Sequence, residues 1–205
     1  MADDTAAINN AISSGGRCGP GTCQSSTTSP AVVYFPSGTY LLSASLIDYY
    51  ETQLIGNPNC VPVLRATANF TGFGLVDGDQ YGANGLGFGS TNVFYRQIRN
   101  FVIDMTNIPS TSAITGIHWP TAQATSLQNI VFQMSDVPGT QHNGIFIESG
   151  PYEFSSFRIR CLTSSARGYV LCSKHDLNVP SRGKVLNLSA DHCSMKDFIK
   201  LHFGC

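Results

Sequence analysis

The sequence predicts an all-β chain wound as a right-handed parallel β-helix, a solenoid closed at its start by a short N-terminal capping helix. Three observations carry that prediction. Charged residues make up only 12% of the 205, while Gly, Ser, Thr and Asn abound, a balance that favours many short strands and turns. Apolar residues alternate at a period of two rather than at helical spacing. The alternating segments also recur at a fixed interval, the signature of stacked repeats.

In chain order, the first element is the helix. Asp3, Asp4 or Thr5 can cap it, and Ile8, Ala11 and Ile12 fall on one face at three- and four-residue spacing. "SSGGRCGPGTCQSSTTSP" ends it with turn and loop chemistry. "AVVYF" then alternates up to the turn Pro36-Ser37-Gly38, and "TYLLS", "TQLIGN" and "PVLRAT" continue as short strands.

The repeat begins near residue 94. "NFVIDM" (100–105), "NIVFQM" (129–134), "SFRIRC" (156–161) and "KVLNLS" (184–189) start 29, 27 and 28 residues apart. "GIHW" (116–119), "GIFI" (144–147) and "GYVL" (168–171) interleave with them at 28 and 24. Each period holds two or three strands, and each turn buries its apolar face only by stacking on its neighbours. The capping helix shields strand edges that otherwise pair with another chain.

Composition excludes some functions. Formal net charge is −1 and no basic stripe exists, so nucleic acid has no electrostatic footprint here. No apolar run approaches the roughly 18 residues of a membrane helix. "MADDTAAINNAI" does not read as a signal peptide, yet other signs point outside the cell. Asn69-Phe70-Thr71 and Asn187-Leu188-Ser189 are glycosylation sequons, and seven Cys is a raised count. Cys18 and Cys23 flank "GPGT", a spacing that suits a loop-closing disulfide. Zinc is the rival reading, but no His neighbours the pair.

"DDTAAINNAI", "VVYFPSGTYLLS", "NVFYRQIRNFVIDM", "GIHW", "AQATSLQNI" and "HNGIFIESG" together resemble the first β-helix of the fungal β-1,3-glucanases of glycoside hydrolase family 55, in the pectate-lyase-like superfamily. The likeness covers residues 3 to 150. It implies inverting hydrolysis of β-1,3-glucan by an extracellular, cofactor-free enzyme with a second β-helix as partner. Inversion needs a carboxylic acid on the leaving oxygen and a group that activates water from the opposite face. The resemblance puts that acid in the second helix, so this chain alone is expected to be inactive. Two alternatives stand beside it: a non-catalytic glucan-binding β-helix, and a pectin or pectate lyase.

The chain departs from the family's pattern in places. The usual "GDGV" before the Asp pair is absent, and after Gly150 the sequence becomes richer in Cys and in positive charge. Residues 1–150 are therefore expected to form the N-terminal part of the β-helix. Residues 151–205 are a divergent tail, either further rungs or sequence foreign to the family.

The resemblance also names site candidates. A family Gln that helps position the attacking water falls at Asn143, whose amide is retracted by about 1.5 Å. A misplacement near 1 Å costs on the order of 100-fold in rate. The alternative for Asn143 is a plain turn residue before Gly144. Gln141 and His142, which lead into it, are candidate substrate contacts. So are His118 and Trp119, since Trp faces stack on sugar rings; the alternative is that Trp119 packs against a neighbouring rung and His118 is a satisfied surface donor. Gln123, or Gln128, lines the same groove or belongs to a polar ladder. Glu148 and Asp136 read as solvated carboxylates. No metal is expected: Asp77 and Asp79 are one close pair, and the spacings around His175 and His192 match no zinc site. "GANGLGFG" (82–89) reads as a flexible surface loop and lacks the Lys of a phosphate loop.

Overall fold

The computed structural model describes residues 2–120 and 124–147, Ser90 by its backbone alone, together with the backbone of strands at 156–163, 170–172 and 186–189. The predicted calls on Gln123 and Glu148 lie outside the described residues. The elements are α1 (Thr5–Ser13), β1 (Ala31–Phe35), β2 (Thr39–Ile47), β3 (Thr52–Gly56), β4 (Val63–Asp77), β5 (Tyr81–Gly82) and β6 (Gly85–Leu86), then β7 (Gln97–Asp104), β8 (Ile114–His118), β9 (Ser126–Met134), β10 (His142–Ile147), β11 (Ser156–Thr163), β12 (Val170–Cys172) and β13 (Leu186–Ser189). Among the described residues the fold is all-β and largely parallel, with α1 its single α-helix.

The strands stack in three parallel ladders. The first runs β1–β3 and on through the leading halves of β7, β9 and β11. The second joins the starts of β2 and β4 to the trailing halves of β7 and β9. The third joins the ends of β2 and β4 to β8 and β10. β12 and β13 pair antiparallel, with β11 and β10 respectively.

Alternation along each strand sends one set of side chains inward. Register then aligns them into buried stacks. Leu54, Ile98 and Leu127 form one; Leu64, Ile103 and Phe132 a second; Leu46, Val76, Ile117 and Ile145 a third. All of these are fully buried. The bend between the first and second ladders falls at Asn100 in β7 and at Asn129 in β9, with φ of 62° and 52°. Asn tolerates this left-handed backbone better than most residues. Asn129 donates to Asn100 Oδ1 and Asn100 donates to the Gly56 carbonyl, so the corner is bridged across three turns. These Asn residues head "NFVIDM" and "NIVFQM", which gives the repeat of 29 a physical cause.

Helix α1 lies against β2, the edge strand of the second and third ladders. Ile8 and Ile12 are buried beneath it, whereas Ala11, expected on the same face, is exposed. Its side chains replace a missing neighbour strand. Asp4 Oδ2 accepts from Leu41 N, Thr5 Oγ1 from Ser43 N and Asn9 Oδ1 from Ile47 N, while Asn9 Nδ2 donates to Ser45 O. Three β2 donors are thereby satisfied without a strand beside them, and unpaired edge groups are what invite aggregation.

One expectation needs correcting locally. The "GANGLGFG" stretch is not featureless, because β5 and β6 pair antiparallel into a small hairpin with Tyr81 opposite Leu86. Cys18 and Cys23 are joined in a disulfide. That loop and the hairpin meet: Gly21 N donates to Gly87 O, and both cysteines pack on a second small core of Tyr50, Phe88 and Val93.

Candidate functional site

The third ladder carries the chemistry. Ile47, Asp77, His118 and Phe146 occupy one register position on its successive strands, the position after the inward stack that ends in Ile145. Adjacent rungs therefore bring Asp77 beside His118 although 41 residues separate them. Asp77 Oδ1 lies 2.8 Å from His118 Nδ1, and both side chains are buried. A carboxylate can only accept, so Nδ1 is the donor in this pair. Asp77 Oδ1 also accepts from Asp79 N at 3.2 Å.

Aromatic rings enclose the imidazole. Tyr81 stacks on it at 5.3 Å and 23°, Phe73 meets it at 4.6 Å, and Phe146 lies 5.6 Å away. Phe73 contacts both Tyr81 and Phe146 edge to face. Phe73 is 40% exposed and Tyr81 50% exposed. Tyr81 thus covers His118 with one face and turns the rest of its surface to solvent, which is the side on which an apolar sugar face can lie.

The hairpin that carries Tyr81 is held from below. The buried Asp79 carboxylate accepts from Phe88 N (2.9 and 3.1 Å) and from Gly89 N (3.0 Å). Burial pushes its pKa up, against those hydrogen bonds and the nearby Arg96 charge. Beneath lies Arg96, wholly buried, with Nε donating to Tyr49 O at 2.9 Å and Nη2 to Asp48 O. Its charge partner is Asp48, 3.6 Å away and equally buried. Among the described residues neither Asp48 carboxyl oxygen nor Arg96 Nη1 has a hydrogen-bond partner, and desolvation raises the Asp48 pKa to about 7 despite the two arginines nearby. Gly78 leaves room for this arrangement, because a Cβ there would stand 2.6 Å from His118 O and 3.1 Å from Arg96 Nη1.

The residues singled out from sequence fall in different places. His118 is the centre of the cluster. Trp119 is fully buried in the main core, its Nε1 without a partner, and its backbone N donates to Phe146 O. Alternation contains that signal: with Ile117 inward and His118 outward, Trp119 turns inward again. His142 is buried, with Nε2 3.1 Å from Pro109 O and Nδ1 accepting from Ser135 N at 3.2 Å, so both ring nitrogens are committed to backbone. Burial lowers its pKa, with the Pro109 bond opposing. Gln141 is exposed, and its backbone N donates to Ser110 O. Asn143 is half-buried in β10, in register with Thr115 of β8. Gln128 is half-buried and reaches Ser126 Oγ. No group of three or more metal-ligating side chains forms among the described residues.

Sequence reasoning missed Tyr81, Phe73 and the pairing of Asp77 with His118. Tyr81 sits among glycines that signal a loop. Asp77 finds its partner only through ladder register, with β5, β6 and β7 lying between the two in the chain.

Comparison with known proteins places these residues in a family. The model of the family described as rhamnogalacturonase A/epimerase, pectate lyase-like, matches residues 1–168. The chain is 51% identical over 152 residues to a glucan 1,3-beta-glucosidase of Cochliobolus carbonum, covering 73% of this chain and 19% of that protein. It is 49% identical over 151 residues to a probable glucan endo-1,3-beta-glucosidase of Arthroderma benhamiae, covering 72% and 17%. It is 47% identical over 151 residues to the non-secreted LysM effector LysM15 of Penicillium expansum, covering 73% and 11%. The chain spans less than a fifth of the length of these relatives.

Proposed function

This chain belongs to the rhamnogalacturonase A/epimerase, pectate lyase-like family, and from that premise we propose that it is the N-terminal right-handed parallel β-helix of a secreted, inverting β-1,3-glucan hydrolase. The observation that carries the reading is identity of 51% over 152 residues and 49% over 151 residues with proteins named as a glucan 1,3-beta-glucosidase and a probable glucan endo-1,3-beta-glucosidase. In this reading the chain supplies one wall of a cleft, and a second β-helix supplies the general acid. No cofactor takes part.

Roles follow from position. A glucosyl ring lies on Tyr81 beside Phe73, with His118 held beneath by Asp77. Asn143 positions the attacking water, and Gln141 and Gln123 contact the sugar. His142 acts through others, pinning the turn before Asn143 to Pro109 and Ser135. Trp119 backs the site from the core.

The test is laminarin binding and hydrolysis by the 205-residue chain. Binding without hydrolysis is expected, and hydrolysis should appear when a second β-helix bearing the acid is supplied. Robust glucose release by the chain alone would overturn the division of labour; absence of binding would overturn the cleft wall. A second reading, a glucan-binding module without catalysis, is favoured by the relatives that carry an effector name rather than a hydrolase name. It predicts binding that no second helix converts into turnover.

A further inference from the structure

We propose that Asn69 is an N-glycosylation site, modified by transfer of an oligosaccharide from a lipid-pyrophosphate donor. Residues 69–71 read Asn-Phe-Thr, the acceptor pattern for this reaction. The pattern alone is common. What separates this copy is where the fold puts it.

Along β2 and β4 the register is regular until Leu42 pairs with Ala66; Ala44 then pairs with Thr71, and a second shift follows before Leu46 pairs with Val76. Two steps along β2 thus face five along β4, so three extra residues are extruded from the ladder as a bulge. Asn69 sits in that bulge and is exposed, as are Ala68 and Thr71. Phe70 between them is half-buried and packs on the main core, which anchors the segment while its flanks stand outward. The Thr71 hydroxyl reaches Ser43 O at only 3.4 Å, a weak bond that leaves it available for recognition. The other sequon differs. Asn187 and Ser189 lie in β13, and their backbone pairs with Phe146 and Asn143 of β10.

In the transfer, the Asn69 Nδ2 attacks the anomeric carbon of the donor sugar. The new carbon–nitrogen bond replaces the carbon–oxygen bond to the lipid pyrophosphate, which departs with that bond's electron pair, and the amide proton passes to a base. A bulky, soluble glycan at this point stands off the exposed bulge of β4 without entering a ladder.

The inference rests on the reading of the chain as an exported protein, and the experiment separates the two. The chain is secreted from a yeast behind a heterologous leader, so that it enters the glycosylating compartment whatever its native destination. The expected result is a mobility shift removed by peptide N-glycosidase, with residue 69 converted to Asp in the peptide map. Asn69→Gln and Thr71→Ala should abolish the shift, Thr71→Ser should keep it, and Asn187→Gln should leave it unchanged. An unshifted wild-type chain, or a shift that survives Asn69→Gln, overturns the proposal. Localisation of the native protein is read separately, by where the untagged chain accumulates in its own host.

Discussion

The carboxamide of Asn129 donates to that of Asn100 at 3.0 Å, and both residues hold a left-handed backbone one turn apart. The pair spans the same corner on two successive turns, and Asn100 passes the contact on to the Gly56 carbonyl at 3.1 Å. Replacing Asn100 by Ala removes both bonds and leaves a residue with no local compensation at φ 62°. A loss of about 1–3 kcal/mol is expected, measured by urea denaturation. A double-mutant cycle with Asn129→Ala should show coupling; strict additivity would mean the two amides do not act together.

Gly116 faces Gly144 in the third ladder. A Cβ at Gly116 would stand 2.6 Å from Gly144 O and 2.7 Å from the Phe132 ring. Backbone cannot move aside as a side-chain tip does, so Gly116→Ala should cost about 1–3 kcal/mol. A thermal melt indistinguishable from wild type would show that the strands separate more easily than their register implies.

Stability should depend on pH through two buried groups of opposite sign. Asp48 has its pKa raised by burial from 3.8 to about 7, so the native state holds its proton more tightly than the unfolded chain. Its contribution is full below about pH 4 and is lost as pH rises to about 7, a change on the order of 4 kcal/mol. His142 has its pKa lowered by burial. Its contribution is full above its ordinary value of 6.5 and falls as pH drops through the folded value. Asp48→Asn should flatten the loss between pH 5 and 7 in chemical denaturation; a slope unchanged in that variant would assign the dependence elsewhere.

Tyr81 offers a direct test of the sugar platform. Tyr81→Ala should weaken laminarin binding roughly tenfold, about 1.4 kcal/mol, while Tyr81→Phe keeps the ring and most of the affinity. Trp119→Phe should instead lower stability and leave affinity nearly unchanged, since the indole is buried. Titration calorimetry on the folded variants distinguishes the two patterns.

The Cys18–Cys23 loop packs against the segment that follows the Tyr81 hairpin, through Gly21 and Gly87. Reduction, or Cys18→Ser with Cys23→Ser, should cost roughly 2–3 kcal/mol and speed amide exchange in residues 85–89 ahead of the main ladders. Exchange that rises uniformly over the whole chain would mean the loop and hairpin do not open as a unit.

Much of the fold was legible because the repeat is written twice. "NFVIDM" and "NIVFQM" carry the corner Asn, and "GIHW" and "GIFI" carry the paired glycines. These are local patterns with a local cause. The site was less legible for the opposite reason. Asp77 and His118 meet through a register that depends on every residue between them, and Asp77 itself is placed by two bulges earlier in β4 that no alternation rule foretells. Tyr81 reads as one residue in a Gly-rich loop until Asp79 gathers that loop over His118.

The side chains of Asp4, Thr5 and Asn9 give the β2 edge a finished boundary before any later strand exists. The ladders then add strands in the order of the sequence, β1 to β3 to β7 to β9. During synthesis this capped edge emerges ahead of the strands that stack after it, and each newly made strand finds a template already laid down. Assembly acquires a direction, following the order in which the strands are made.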